Sequence, residues 1–430
     1  MTYKHLQEAT ADLIPESFRL NHRQISIAIN VHQCNLTNIK IRTLLQAIIT
    51  YHYQTQLPAT KRTKLHTFNH SWQAGCKMIR VASIKISLIF ILLLISWPST
   101  LHACSRVAWD TRQGVFAARS MDWGHSFDDI LFINPRGMEM VGEEGPNPAR
   151  WTSKYGSVVQ SIIPYARQYG FSENDGATDG INEKGLAAHI LYLGATRYPK
   201  PNSMPGVSYM RWLRFILDNH ATVAEAVAGM KDIRISPVKV GHEVLGTHLA
   251  IEDPSGDSAI FEIINGKLVV HHGKKYSVMT NDPPYDWQLL NLPFYQGFGG
   301  LKSVPGGIEG ADRFVRLSYY RKHLPEPISD TQAAGYILSA IRTVTVPFGA
   351  PYSRESNNET EKTATYPTWW LSVIDLNNRV YYFNWVTNPN IIWVSLKNID
   401  FANGTGKRIA DPKDPDLVGD ITETFKTFKK

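Results

Sequence analysis

Cys104-Ser-Arg-Val-Ala-Trp-Asp110, the polar stretch Thr111-Arg-Gln-Gly114 and Val115-Phe-Ala-Ala-Arg-Ser-Met-Asp-Trp123 form two apolar, aromatic-containing runs around a turn. Runs of this length and composition, joined by a short glycine-containing turn, predict an N-terminal β-hairpin. Downstream, Asn182-Glu-Lys-Gly185 is a turn signal between a short strand and the apolar run Leu186–Leu193. Helical patterns follow over Tyr209–Asp218 and Thr222–Ile233, where Thr222 and Glu225 have the spacing of a capping box. A meander is expected next: His248–Glu252, Ala259–Ile264, the Asn265-Gly266 turn, Leu268–His272 and Tyr276–Thr280. Helices are predicted over Ala311–His323 and Asp330–Arg342, and strands over Trp370–Asp375, Val380–Trp385 and Ile391–Leu396. Strands and helices come in blocks, so the fold class is α+β, with stacked antiparallel sheets and helices outside them.

Upstream of the hairpin the chain has a different character. The 430 residues carry a formal charge of +7, but residues 1–103 hold 11 Lys+Arg against 3 Asp+Glu, and residues 104–430 hold 34 against 35. The basic balance belongs to a leader, which removes the main support for a nucleic-acid partner. Met78–Ala103 reads MIRVASIKISLIFILLLISWPSTLHA, with Arg80 and Lys85 ahead of an apolar run over Ile86–Trp97 and a small residue at its end. This is the pattern of a secretory signal over 78–103; a bilayer-spanning helix needs about 20 apolar residues. Cleavage after Ala103 would make Cys104 the first residue, with a periplasmic or secreted location. Residues 1–77 show no domain pattern, and translation starting at Met78 would account for them.

Cys34 and Cys76 lie upstream, so Cys104 is the lone cysteine of residues 104–430 and no disulfide framework forms there. No metal-ligand spacing and no glycine-rich phosphate loop occurs, and no cofactor is expected; His271-His272 is read as a strand end. A cysteine made N-terminal by processing places an α-amine, of ordinary pKa about 8, within reach of its own thiol. A thiol of pKa about 8.5 is mostly protonated at neutral pH and needs a neighbouring cation or base. Arg119 and Asp122, on the second strand of the hairpin, are expected to face Cys104: the arginine to favour the thiolate, the aspartate to hold the ammonium. Two other readings compete. Leu101-His-Ala-Cys104 half fits the lipidation pattern of a lipid-anchored binding protein acylated at Cys104, and Arg119 and Asp122 also fit an ordinary surface ion pair.

Cys104, Ala118-Arg119-Ser-Met-Asp122-Trp123, Asp179-Gly-Ile-Asn-Glu-Lys-Gly185-Leu, Met279-Thr-Asn281-Asp-Pro and Asp312-Arg313-Phe-Val-Arg316 occur in this order. Together they closely resemble the choloylglycine hydrolase family, which contains penicillin V acylases and conjugated bile salt hydrolases and belongs to the N-terminal-nucleophile hydrolases. The resemblance covers residues 104–430 as one amidase domain. It implies a four-layer αββα sandwich, with Cys104 as nucleophile and base, Arg119 and Asp122 flanking it, Asn281 in the oxyanion hole and Arg313 organising the site. It also implies a homotetramer. Tyr192 aligns where bile salt hydrolases usually carry Asn and acylases often carry an aromatic residue; its side chain or its backbone N–H would serve the oxyanion, unless it is a core residue of an apolar strand.

The activity expected is hydrolysis of a linear amide C–N bond in a small N-acyl substrate, as in penicillin V acylases, with N-acyl homoserine lactones as a further substrate class. Met121, Trp123 and Tyr192 would line the acyl pocket. Hydrolysis of conjugated bile salts is the alternative within the family.

Overall fold

The computed structural model describes residues 104–349 and 365–429; the expected extension over 1–77 and signal over 78–103 lie outside the described residues. The opening hairpin is β1 (Ser105–Thr111) and β2 (Gly114–Asp122). Gly114, at φ +129°, closes its turn, and a side chain there would collide with Asn377. The chain continues through β3 (Ile130–Asn134), β4 (Glu139–Val141), β5 (Arg150–Thr152), β6 (Ser157–Ser161), α1 (Ile163–Ala166), β7 (Ala177–Asn182) and β8 (Ala187–Tyr192). Next come β9 (Gly206–Ser208), α2 (Tyr209–Asn219), α3 (Val223–Gly229), β10 (Arg234–Ser236), β11 (Thr247–Glu252), β12 (Ser258–Ile264), β13 (Lys267–His272) and β14 (Val278–Thr280). The last part holds α4 (Tyr285–Asn291), α5 (Gly310–His323), α6 (Asp330–Arg342), β15 (Thr368–Asp375), β16 (Val380–Trp385), β17 (Ile392–Ser395), β18 (Arg408–Ala410), β19 (Gly419–Asp420) and β20 (Lys426–Thr427).

Two sheets carry the fold. One has the order β14-β1-β2-β15-β16-β17-β19, the other β13-β12-β11-β8-β7-β6-β3-β18-β20. Within these two sheets pairing is antiparallel except between β17 and β19. Helices α5 and α6 pack against β1, β2, β14 and β15 of the first sheet, and α2 and α3 against β7, β8 and β12 of the second. The result is the four-layer αββα sandwich.

Local chemistry explains the turns. Asn265 (φ +52°) and Gly266 (φ +74°) are both left-handed, the two-residue turn that matches strand twist between β12 and β13. In the β7–β8 turn, Asn182 Oδ1 accepts from the N–H groups of Lys184 and Leu186, while its Nδ2 donates to the carbonyls of Leu217 and His220 and so ties the turn to the end of α2. Thr222 caps α3 by accepting from the Glu225 N–H at 3.2 Å, but the Glu225 carboxylate reaches back to Ala221, one residue beyond a standard capping box.

Two expectations need correction. The segment read as the last strand of the meander leaves it: β14 pairs with β1 in the other sheet, with Ser105 opposite Thr280. Gly273, at φ +125°, lies at the point of departure. The helix read over Thr222–Ile233 is α-helical only to Gly229 and ends in a 3-10 turn over Met230–Asp232.

Charged groups occupy the space between the sheets. Arg106 on β1 reaches Glu252 on β11, Arg119 on β2 lies 3.7 Å from Asp179 on β7, and Tyr381 on β16 donates to Asp179 at 2.6 Å. Nearer the sheet edge, Glu262 on β12 accepts from the N–H of Tyr285 at 3.0 Å and lies 3.4 Å from His248 and 3.7 Å from His271. Burial opposes the charge of Glu262, but the two histidines and the Tyr285 N–H outweigh it and bring its pKa from 4.5 down to about 2. A depression of that size corresponds to about 3 kcal/mol of stability, present above pH 4.5 and lost as the pH falls toward 2. Glu262→Gln should therefore cost about 3 kcal/mol at pH 7 and flatten the loss of stability between pH 4.5 and 2. Urea unfolding at a series of pH values checks it; an unchanged acid limb would contradict the assignment.

Candidate active site

Cys104 sits at the entry to β1, which runs between β14 and β2. The register pairs Arg106 with Arg119 and Ser105 with Ser120, so Cys104 lies across from Met121. Strand alternation then divides β2. Arg119 and Met121 point with Cys104 and Arg106 into the space between the sheets, while Ser120 and Asp122 point to the helical side.

Sulfur contacts follow from this register. Cys104 Sγ lies 3.6 Å from Met121 Sδ and 3.7 Å from the main-chain oxygen of Asp122. Arg119 bonds the Thr178 carbonyl, approaches Met121 Sδ to 3.6 Å and stacks 5.0 Å over Trp370. Burial pushes the Cys104 thiol pKa up; the charge of Arg119 opposes this and that of Asp122 adds to it, and the net shift is upward. Of the two residues expected to face Cys104, Arg119 lies on the side of the thiol. The Asp122 carboxylate is on the other face of β2, where it accepts from Ser120 at 2.9 Å, from Arg313 of α5 at 2.8 Å and from Thr368. Neither residue is on the surface: Arg119 is 1% exposed and Asp122 0%.

Arg313 is accordingly a clip between layers. Its Nε donates to the Ile308 carbonyl at 2.6 Å and its guanidinium to Asp122, so α5 is fastened to the strand that carries Arg119 and Met121. Arg316, one turn on, bonds the carbonyls of Pro305 and Gly307 and shapes the loop before α5.

Asn281 follows β14 and lies one register step beyond the Ser105–Thr280 pair, opposite Cys104. Its side chain is fully buried, and neither Nδ2 nor Oδ1 has a hydrogen-bond partner among the described residues. A buried amide in that state costs about 1–3 kcal/mol, a cost that a bound group could relieve. Its main chain is held by Gln288 of α4, which donates to the carbonyls of Asn281 and Pro283, both at 2.7 Å. Asp282 beside it accepts from the N–H of Gly194 at 2.8 Å, joining this segment to the end of β8. Gln288 and Asp282 carry no sequence signal for these roles, since both lie in a stretch that reads as an ordinary turn.

A cavity of about 650 Å³ opens onto Cys104. Trp123, Phe127, Tyr165 and Tyr192 contribute an aromatic wall, with ring centroids 5.4 Å apart for Trp123–Phe127 and 6.1 Å for Trp123–Tyr192. Tyr192 is half-buried at the end of β8, on the cavity rather than in the core. The structure therefore brings Cys104, Arg119, Met121, Trp123 and Tyr192 together around one space, with Asn281 beside Cys104 at the end of β14 and with Asp122 and Arg313 on the helical side of β2. Phe127 and Tyr165 were not anticipated. Among the described residues, no group of three or more His, Cys, Asp or Glu is placed to hold a metal ion, and no helix is long and apolar enough to cross a membrane.

Residues 104–415 match the model of the linear amide C–N hydrolases of the choloylglycine hydrolase family. The chain belongs to that family. A penicillin V acylase of Pectobacterium atrosepticum is 39% identical over 304 residues, which cover 66% of this chain and 78% of the relative. A bile salt hydrolase/transferase of Clostridium perfringens is 24% identical over 329 residues, covering 69% and 94%. The solved structure of a penicillin V acylase from Agrobacterium tumefaciens superposes with a TM-score of 0.65 at 36% identity, covering 76% of this chain and 98% of that one. The protein is thus a linear amide C–N hydrolase, with the fold of the N-terminal-nucleophile hydrolases.

Removing one member of a buried ion pair leaves the other charge without compensation, typically at a cost of 3–5 kcal/mol. Arg313→Met should lose about that much stability, and Asp122→Asn combined with Arg313→Met should lose clearly less than Arg313→Met alone. Denaturant unfolding of the two variants decides it; equal losses would mean that the Asp122–Arg313 pair does not carry the effect.

Proposed function

We propose that this chain is an exported, penicillin V acylase-like amidase in which signal cleavage after Ala103 frees Cys104 to act as nucleophile and base. The observation that carries the reading is the single thiol at the base of an aromatic-walled cavity, opposite a buried amide without a partner. The thiol gives its proton to the freed α-amine, Sγ bonds the acyl carbon, and the carbonyl oxygen becomes an oxyanion that Asn281 Nδ2 would receive, with Tyr192 contributing through side chain or backbone. Collapse breaks the C–N bond, the amine leaves with the proton, and water then hydrolyses the thioester. The aromatic wall suits an aryl or fatty acyl group, which includes phenoxyacetyl amides and N-acyl homoserine lactones.

Cys104→Ser should remain folded and lose nearly all amidase activity, because a hydroxyl is far less acidic than a thiol. A panel of phenoxyacetyl amides, acyl homoserine lactones and glycine-conjugated bile acids, with the mass of the mature N-terminus, tests the rest. Retention of more than about a tenth of the rate would exclude a nucleophile; active enzyme beginning at Met1 or Met78 would exclude the processing. The two readings kept beside this one are bile salt hydrolysis and a lipid anchor at Cys104. The panel addresses the first, and a diacylglyceryl adduct would establish the second, which the burial of the sulfur in the cavity disfavours. The homotetramer belongs to this proposal too, and light scattering reads it.

Tyr192→Asn tests the wall. If Tyr192 contacts the acyl group, kcat/KM on phenoxyacetyl and long-chain acyl substrates should fall by roughly 1–3 kcal/mol in transition-state terms with folding intact. Equal losses on short and long acyl chains, together with a large drop in melting temperature, would assign Tyr192 to structure.

A further inference from the structure

His189 on β8 is completely buried between two carboxylates. Its Nδ1 bonds Asp179 Oδ1 on β7, and its Nε2 lies 2.6 Å from Glu252 Oε1 on β11. Glu252 Oε2 is bonded by Arg106 of the opposite sheet, and Asp179 Oδ2 accepts from Tyr381 at 2.6 Å. Every carboxylate oxygen of the row thus has a close donor. Arg119 approaches the row only at 3.7 Å, and it does so at Asp179 Oδ1, the oxygen that His189 already holds. It bonds the Thr178 carbonyl, lies 3.6 Å from Met121 Sδ and stacks 5.0 Å over the Trp370 ring, all of them neutral.

With His189 protonated, three cations face two anions, and Arg119 is the cation without a closely bound carboxylate. We propose that His189 is a positioning residue for the reaction: by occupying Asp179 and Glu252 it leaves the charge of Arg119 uncompensated and directed at Cys104. Were the imidazole neutral, Arg106 and Arg119 would balance Glu252 and Asp179, and a thiolate would face a layer of no net charge. Burial opposes a charged His189, but Glu252 and Asp179 on either side outweigh it and hold its pKa above the ordinary value. Burial likewise works against the charge of both carboxylates, yet the cations beside them hold both below the usual range. The groups that face the imidazole are Asp179 from β7 and Glu252 from β11 and, through those acids, Tyr381 from β16, Arg106 from β1 and Arg119 from β2. Asp129, whose carboxylate accepts from Gln160, is a further acid within electrostatic reach of Arg119; burial pushes its pKa to about 7, so near neutrality it carries only part of a charge.

The support is present below the folded pKa of His189 and lost as the pH rises through it. The inference rests on Cys104 as the nucleophile, but its test needs no substrate: the rate of iodoacetamide alkylation at Cys104 against pH, read on the Cys104 peptide by mass spectrometry so that Cys34 and Cys76 do not interfere. His189→Gln should move the midpoint up by about one pH unit and slow alkylation at pH 7 roughly tenfold. Combining it with Glu252→Gln removes one anion together with one cation, and should return the rate to within about threefold of wild type. A merely structural role would not be rescued by removing a second partner.

An unchanged profile in His189→Gln, or a double variant as slow as the single one, overturns the proposal. Should His189→Gln fail to fold, nitrogen-15 spectra of the wild-type imidazole decide. Coupling is reciprocal, so alkylating Cys104 must lower the pH at which this doubly bonded ring loses its proton; no change overturns the proposal. Intact shifts with a failed amide panel would instead sink the functional reading.

Discussion

Closing two sheets over a layer of charge is the constraint on which the rest of this molecule depends. Arg106 and Arg119 project from one sheet and Asp179, His189 and Glu252 from the other, all almost fully buried. Taking such groups out of water costs several kcal/mol apiece unless each finds a partner of good geometry. The row meets that demand only in one register. A slip of one residue in β2 would send Arg119 to the helical side and bring Ser120 and Asp122 into the layer. Hydrophobic packing alone would tolerate other alignments of these apolar strands. The charged layer does not, and it is what holds the thiol beside a guanidinium.

The outer face of β2 is organised by the complementary pair. Asp122 binds Arg313, and the helix that supplies Arg313 begins against the Asn281 segment. Thr280 donates to the Gly310 carbonyl at 2.8 Å, and a Cβ on Gly310 would come within 2.3 Å of the Asp282 carbonyl, so only glycine lets α5 start there. One helix therefore braces both strands that flank β1: β2 through a salt bridge and β14 through close backbone approach. Cys104 and Asn281 keep their mutual position because α5 holds the two sides of the same strand.

Much of this was legible in the sequence because it is local. The hairpin around Gly114, the Asn265-Gly266 turn, the helix over Asp330–Arg342 and the strand over Val380–Trp385 all appear where period and turn chemistry place them. β3 and β6 carry no strand signal: Ile130–Asn134 is a short apolar run and Ser157–Ser161 holds only two valines between polar residues, and both are buried within a large sheet, where alternation is lost. The destination of β14 was also illegible, since a three-residue strand pairs with β1 through long-range contacts that no local pattern encodes. Site residues came chiefly from motif resemblance, which names positions but not faces. Spacing put Asp122 on the same strand as Arg119, whereas alternation of an odd interval put it on the opposite side.

That division has a chemical consequence. A thiol buried against Met121, with its pKa raised, is a poor nucleophile even with Arg119 nearby. Uncompensated positive charge lowers the cost of the thiolate, but the proton still needs an acceptor, and the Asp122 carboxylate is turned away from the sulfur and engaged by Ser120, Arg313 and Thr368. While Ala103 remains attached, the nitrogen of Cys104 is an amide and has no useful basicity. On the proposed reading, cleavage at Ala103 supplies an amine adjacent to the sulfur that can take up the thiol proton, while the charge layer acts on the sulfur in either state.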